Sequence, residues 1–189
     1  LGKIVAQVWN LYEKQKMKEN SLDFDDLLLK ATKLLKENEE IKKNYQEKWE
    51  YIHIDEYQDT NEVQYLMSKL LSENNHNICV VGDADQNIYS WRGANLKNIL
   101  SFEKDYPNAK IILLEQNYRS TKNILEAANE IIKKNVYRPD KNLFTDNVIG
   151  EKIGLYEALD ETDEAEFVAT KILELLDGGQ DVFERTLGR

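Results

Sequence analysis

Several things are scarce in these 189 residues. There is one cysteine, Cys79, so an intrachain disulfide framework is excluded and a reducing compartment fits. Cys79 sits in an apolar run, and its ordinary role is that of a small buried hydrophobe. No apolar run approaches the ~20 residues that a membrane-spanning helix needs. The first residues carry no apolar core of a signal peptide, and the expectation is a cytoplasmic protein with no membrane partner. Positive charge is also in deficit: 25 Lys and Arg against 35 Asp and Glu leave a net charge of −10. That balance argues against a protein that coats nucleic acid by bulk charge, though not against a local groove of a few Arg, Lys and aromatic residues. No internal repeat or low-complexity tract occurs.

What is present is a soluble-protein composition, 41% hydrophobic and 32% charged, long enough for one good core or two small ones. Apolar residues at three- and four-residue steps predict a helix over 3–18 (Ile4, Val5, Val8, Trp9, Leu11, Tyr12). It starts without a cap, so the chain is expected to be a piece of a longer one. Ser21 or Asp23 can cap a second helix, with Phe24, Leu27, Leu28, Ala31, Leu34 and Leu35 inward. Asp23, Asp25 and Asp26 then sit in its first turn, where acids suit the helix dipole. A third helix covers roughly 38–48.

The chain then alternates. Tyr51–Ile54 reads as a strand, 61–73 as a helix with Val63, Leu66, Met67, Leu70 and Leu71 in one stripe, and Ile78–Val81 as a strand buried on both faces. A helix follows over 95–105, stopped by Pro107, and then a third strand, Ile111–Leu114. Strand, helix, strand, helix, strand with short links predicts an α/β fold with a parallel sheet and right-handed crossovers. The polar segments after the strands, Asp55–Gln58, Asp83–Gln86 and Glu115–Arg119, are then expected to converge on one sheet edge. Ser120 is placed as the cap of a helix to Lys134. Residues 135–150 read as loop, Ile153–Tyr156 as a strand, and Asp160–Asp177 as a helix with Ala165, Val168, Ile172 and Leu175 inward, stopped by Gly178-Gly179.

Three segments carry chemistry. The first is Tyr51-Ile52-His53-Ile54-Asp55-Glu56-Tyr57-Gln58-Asp59-Thr60: a strand that delivers two adjacent acids to one place. Such a pair suits a cation and an activated water, as in the Walker B element of ATP-driven motors. Read alone, Glu56 and Asp59 could equally be solvated loop acids. The second is Gly82-Asp83-Ala84-Asp85-Gln86-Asn87-Ile88-Tyr89-Ser90-Trp91-Arg92-Gly93-Ala94. Gln86 offers a donor and an acceptor at a phosphate site. Tyr89 and Trp91 can serve as platforms on which bases stack, worth ~1–3 kcal/mol per base, and Arg92 adds a cation. Trp is more often largely buried, but Ser90, Arg92 and Gly93 around Trp91 argue against a core position. The third is Glu115-Gln116-Asn117-Tyr118-Arg119-Ser120-Thr121. Arg119 before a helix can fork onto phosphate oxygens. By itself it is better read as a surface Arg pairing with Glu115.

Together these segments resemble superfamily 1 helicases of the UvrD/PcrA/Rep type. Asp55–Asn61 is similar to motif II of that family, Gly82–Ala94 to motif III and Gln116–Ser120 to motif IV. Leu22–Leu28 is similar to the segment upstream of motif II. The resemblance implies a partial, parallel-sheet RecA-like (P-loop NTPase) core with flanking helices and the start of a second α/β core. Residues 1–20 would end an inserted helical subdomain, 21–115 form the later half of the first core, 116–179 begin the second, and 180–189 are unassigned. It implies ATP and Mg²⁺ as cofactors, and single-stranded and duplex DNA as partners of a 3′–5′ helicase or translocase. Asp55 would ligate Mg²⁺ and Glu56 would be the general base. Gln58 and Gln86 would sense the γ-phosphate, and Tyr89, Trp91 and Arg92 would contact single-stranded DNA. Tyr118 would stack near the adenine, and Arg119 would reach the γ-phosphate from the second core.

One family element is missing: no Gly-Lys-Thr or Gly-Lys-Ser occurs. Without that loop's lysine and backbone N–H groups, these 189 residues alone are expected to bind ATP weakly and not to turn it over. Incomplete sheets would leave open edges, and self-association is the resulting expectation. Two other classes compete: a Mg²⁺-dependent nuclease using Asp55, Glu56, Asp83 and Asp85, and a non-catalytic nucleic-acid or protein interaction module.

Overall fold

The computed structural model describes residues 2–135 and 141–176. The chain divides into two compact units, Leu1–Glu115 with Glu130–Asn142, and Gln116–Asn129 with Leu143–Arg189. In the first unit three helices lead into the sheet: α1 (Gly2–Glu19), α2 (Phe24–Glu37) and α3 (Glu39–Lys48). Asp23, in extended backbone, caps α2 in a reciprocal box with Asp26, and Asn38 caps α3. The acids expected merely to suit the dipole also hold a cation. Lys16 of α1, 8% exposed, lies 2.9 Å from Asp23, 2.7 Å from Asp26 and 2.8 Å from Glu13.

Strand β1 (Ile52–Ile54) pairs in parallel with β2 (Ile78–Val80), Ile52 opposite Ile78, His53 opposite Cys79 and Ile54 opposite Val80. Parallel neighbours need a crossover. Here it is α4 (Glu62–Ser72), capped by Asn61 in a box with Gln64. The ladder continues past the strands: the Val81 N–H donates to Ile54 O, and the Tyr57 N–H donates to Val81 O. Ile52, Ile54, Ile78 and Val80 lie half-buried on one face, while His53 and Cys79 are exposed on the other. The sheet is therefore not buried on both faces, and Cys79 is not a core residue, because nothing among the described residues covers that face.

The segment expected as one helix over 95–105 is two short ones, α5 (Lys97–Leu100) and α6 (Phe102–Asp105), separated at Ser101. The break turns Phe102 edge-on to the fully buried Tyr57 ring, at 5.7 Å. Asp105 of α6 accepts from Tyr65 and pairs with Lys69, and Tyr106 bonds Ser72, so α6 is tied to α4. Residues 111–114 are not a strand and are exposed. A strand exists through its ladder, and no described segment runs alongside to supply one.

Helices α7 (Lys122–Ile132), which begins in the second unit, and α8 (Glu161–Leu176) form as expected, but 153–156 is not a strand. Gln116 forms an isolated parallel bridge with Phe144. Ser120 is not the cap of α7: the first N–H groups of the helix go to carbonyls across the chain, Lys122 to Val148 and Asn123 to Ile149. Asp160 receives the N–H groups of Thr162 and Asp163 at the start of α8, and Tyr156 stacks on Phe167 at 3.9 Å. The expected stop at Gly178-Gly179 and the tail 180–189 lie outside the described residues.

The helical stripes locate the faces that seek burial, not partners that supply it. Leu35 and Leu125 are buried, whereas Val8 and Trp9 of α1, Phe24 and Leu27 of α2 and Val168 and Ile172 of α8 are exposed. No described helix is long and apolar enough to cross a membrane.

Candidate nucleotide and nucleic-acid site

In the first unit the site starts where β1 ends. Asp55 and Glu56 are both exposed. Glu56 is in the left-handed region, φ 49°, which costs a side-chain-bearing residue roughly 1–3 kcal/mol. The turn is held from both sides: the Glu56 N–H donates to Asp55 Oδ1 at 2.9 Å, and the Tyr57 N–H is committed to Val81. This turn swings Glu56 back over the next short 3-10 turn, Tyr57–Asp59, where Gln58 is 1% exposed.

Gln58 is the junction of the two strand ends. Its Nε2 donates to Glu56 Oε2 at 2.8 Å, and its Oε1 accepts from the Asp83 N–H at 3.0 Å. Its backbone carbonyl accepts from Asn87 Nδ2 at 2.5 Å. Gly82 makes the approach possible: a Cβ there would lie 2.7 Å from Gln58 Oε1 and 3.2 Å from the Tyr57 nitrogen. Both ends of the Gln58 amide are thus used within the protein. Gln86, in contrast, is exposed and donates Nε2 to Asp83 Oδ2 at 2.9 Å.

Asp83 is also paired with Lys141, whose ammonium lies 3.7 Å from Asp85 Oδ2, and Asn135 Nδ2 donates to Asp85 Oδ1 at 3.1 Å. Burial works against the charge of Asp83, but Lys141, the Gln86 amide and the Asp85 N–H outweigh it and hold its carboxyl below the usual range. Asp83 and Asp85 are therefore both engaged by side chains of the first unit, Lys141 with both, Gln86 with Asp83 and Asn135 with Asp85. The four-carboxylate cluster that a nuclease needs does not form, and no described trio of His, Cys, Asp or Glu could hold a metal by itself.

Tyr89, Trp91 and Arg92 form a separate cluster. The Trp91 ring is 73% exposed and Tyr89 38%, with centroids 6.5 Å apart. The Arg92 guanidinium lies 4.6 Å from the Trp91 ring centre and 5.3 Å from that of Tyr89. The chain after the cluster is tied to the acid turn: Nδ2 of Asn98, 4% exposed in α5, donates to Thr60 O at 3.0 Å and Thr60 Oγ1 at 3.1 Å. The Asn95 N–H reaches the same carbonyl.

Tyr118 and Arg119 belong to the second unit and are exposed. The Tyr118 hydroxyl donates to Gln116 Oε1 at 2.7 Å. Asn117 Oδ1 accepts from the N–H groups of Arg119 and Ser120, making a local turn. Glu115 is engaged by the Asn142 N–H, and among the described residues Arg119 is not paired with it.

Sequence reading missed Lys141, Asn98 and Asn147. Each acts across 27 to 58 residues of chain, and its partner is visible only after folding. A lysine in a polar segment and an asparagine on a helix look like surface residues.

Parallel strands joined by a helix, with carboxylates, amides and an aromatic–arginine cluster following the strand ends, define an α/β protein whose candidate site lies past its strands. Residues 1–107 match the UvrD/REP helicase N-terminal domain and residues 112–186 the UvrD-like helicase C-terminal domain, so the chain belongs to the UvrD/REP helicase family. It is similar to the ATP-dependent DNA helicase PcrA of Bacillus subtilis, 55% identical over 177 residues that make up 94% of this chain and 24% of that protein. PcrA of Staphylococcus aureus (strain Mu50) is 55% identical over 172 residues (91% and 24%), and that of Staphylococcus epidermidis 52% over 186 (98% and 26%). The chain spans about a quarter of the length of these relatives.

Proposed function

We propose that this chain is part of an ATP-dependent DNA helicase or translocase that couples ATP hydrolysis to 3′–5′ movement on single-stranded DNA and to unwinding of duplex DNA. One observation carries the reading: the buried Gln58 amide bonds the carboxylate of Glu56 and the backbone of Asp83 together. In this reading residues 21–115 are the later half of a RecA-like core, 1–20 the end of an inserted helical subdomain, and 116–179 the start of the second core.

Asp55 and Glu56 suit Mg²⁺ carried by a nucleotide. They are adjacent exposed carboxylates outside any protein-only metal cage, and Mg²⁺ takes one or two carboxylates and completes its shell with water and phosphate oxygens. The ion, when bound, neutralises charge on the phosphates. Asp55 holds it. Glu56 orients the attacking water and accepts its proton at a carboxylate oxygen. Gln58 fixes the Glu56 carboxylate, and Gln86 meets the γ-phosphate. Tyr118 lies against the adenine and Arg119 forks onto the γ-phosphate. Tyr89, Trp91 and Arg92 hold single-stranded DNA, with Trp91 stacked on a base. The lysine of a Gly-Lys-Thr loop is absent from these residues, so turnover belongs to the whole protein and not to this stretch alone. A cytoplasmic location and self-association through the open edges of the sheet complete the reading. Light scattering that shows a monomer at high concentration would exclude the latter.

The test is DNA-stimulated ATP hydrolysis by the whole protein carrying Glu56→Gln. That change keeps shape and removes the base, and turnover is expected to fall about 10²- to 10⁴-fold. Intact turnover would show that Glu56 is not the base.

A further inference from the structure

The Arg119 segment is gripped from a second loop. Asn147 Nδ2 donates to the carbonyl of Tyr118 at 3.2 Å and to the carbonyl of Ser120 at 3.0 Å, the residues immediately before and after Arg119. Asn147 is itself fixed, its N–H donating to Oγ1 of the buried Thr145 at 3.1 Å. The loop that carries it is registered against the Arg119 segment at both ends. At one end Gln116 bridges Phe144 and the Asn117 N–H donates to Phe144 O at 2.7 Å; at the other the N–H groups of Lys122 and Asn123 reach Val148 and Ile149. Beyond it Gly150, at φ 79°, packs where a Cβ would fall 2.4 Å from Thr121 Oγ1. The backbone around Arg119 is thus held on three sides while its side chain stays exposed.

From this geometry we infer that Asn147 is a positioning residue for Arg119: its carboxamide ties together the carbonyls of the residues before and after the arginine and so aims the guanidinium. The inference rests on the proposed contact of Arg119 with the γ-phosphate. An arginine on a loose loop reaches a phosphate in many poses; one on a clamped loop reaches it in few, and those few are the ones that count as charge develops on the transferred group. Asn147 touches neither substrate nor reacting atoms. Its effect should therefore appear in kcat more than in KM, and should vanish when Arg119 is gone.

The experiment uses the whole protein with saturating single-stranded DNA, comparing Arg119→Ala, Asn147→Ala, Asn147→Asp and the double variant Arg119→Ala/Asn147→Asp. Aspartate keeps the shape and loses the donor. Both Asn147 variants are expected to lower kcat about 10- to 100-fold with KM for ATP within about threefold. The double variant should match Arg119→Ala alone. Turnover within twofold of the wild type in both Asn147 variants, or losses that multiply in the double variant, overturns the inference and leaves the role of Arg119 standing. Unchanged turnover in Arg119→Ala overturns the role of the arginine, and the inference with it.

Discussion

Gln58 and Glu56 are two residues apart and joined side chain to side chain, Nε2 to Oε2 at 2.8 Å, with Gln58 almost wholly buried and Glu56 exposed. The amide is therefore the fixed partner and the carboxylate the one it orients. Gln58→Glu is the sharpest way to use this. The new side chain still accepts from the Asp83 N–H, but it sets a second carboxylate against Glu56. Like charges that close raise the pKa of one of the pair. The acid limb of the pH profile for ATP hydrolysis by the whole protein should move to higher pH, with turnover down at least about tenfold at neutrality. An unmoved limb would mean that Gln58 does not control the base.

The aromatic cluster makes a separate prediction, because it lies outside the core. Trp91 is 73% exposed, so Trp91→Ala removes little buried area and should leave the melting temperature nearly unchanged. Affinity for single-stranded DNA should fall about 5- to 150-fold, the equivalent of one lost stacking contact. Fluorescence anisotropy of a labelled oligonucleotide at fixed salt measures it. Unchanged affinity would leave Trp91 without a role at this surface.

Asp23 gives the acid behaviour of the first unit. The N–H of Asp26, the ammonium of Lys16 and the Tyr12 hydroxyl together hold its carboxyl down at about 2. In the unfolded chain the same group titrates near ~3.9, so between these values the unfolded state binds the extra proton. The stabilisation is thus complete above about pH 4 and drains away as the pH falls toward 2. Asp23→Asn keeps the cap and removes the titration. Urea midpoints measured at pH 5 and pH 3 should drop for the wild type and drop less for the variant; equal slopes would show that Asp23 contributes nothing.

Helix positions were legible from spacing, and α1 to α4, α7 and α8 fall where the periodicity puts them; of the caps, Asp23 on α2 was legible and Ser120 on α7 was not one. The acid pair and the aromatic–arginine cluster were legible too, because their residue types are improbable in a core. Ile111–Leu114 shows the limit: four β-branched and leucine residues announce a strand, but only a neighbour can make one. The same holds for Gln58. Its place in the sequence marks it as polar and near the acids, while its burial and its second bond depend on a glycine 24 residues later.

That glycine carries the last prediction. A methyl group at position 82 would meet Gln58 Oε1 at 2.7 Å, Ile99 Cδ1 at 3.0 Å and the Tyr57 nitrogen at 3.2 Å. Ile99 can turn aside, but the Tyr57 peptide is pinned to Val81, so the strain falls on the Gln58 side chain. Gly82→Ala should cost about 1–3 kcal/mol, as overpacking of a closed site does. It should also break the Asp83 N–H bond, and hydrogen exchange separates the two effects. The Asp83 amide should exchange faster by more than the global loss of stability accounts for, while the Val81 amide, bonded within the ladder, should track the global loss alone. If both amides change together, Gly82 is a packing residue and the link from one strand end to the other does not run through Gln58.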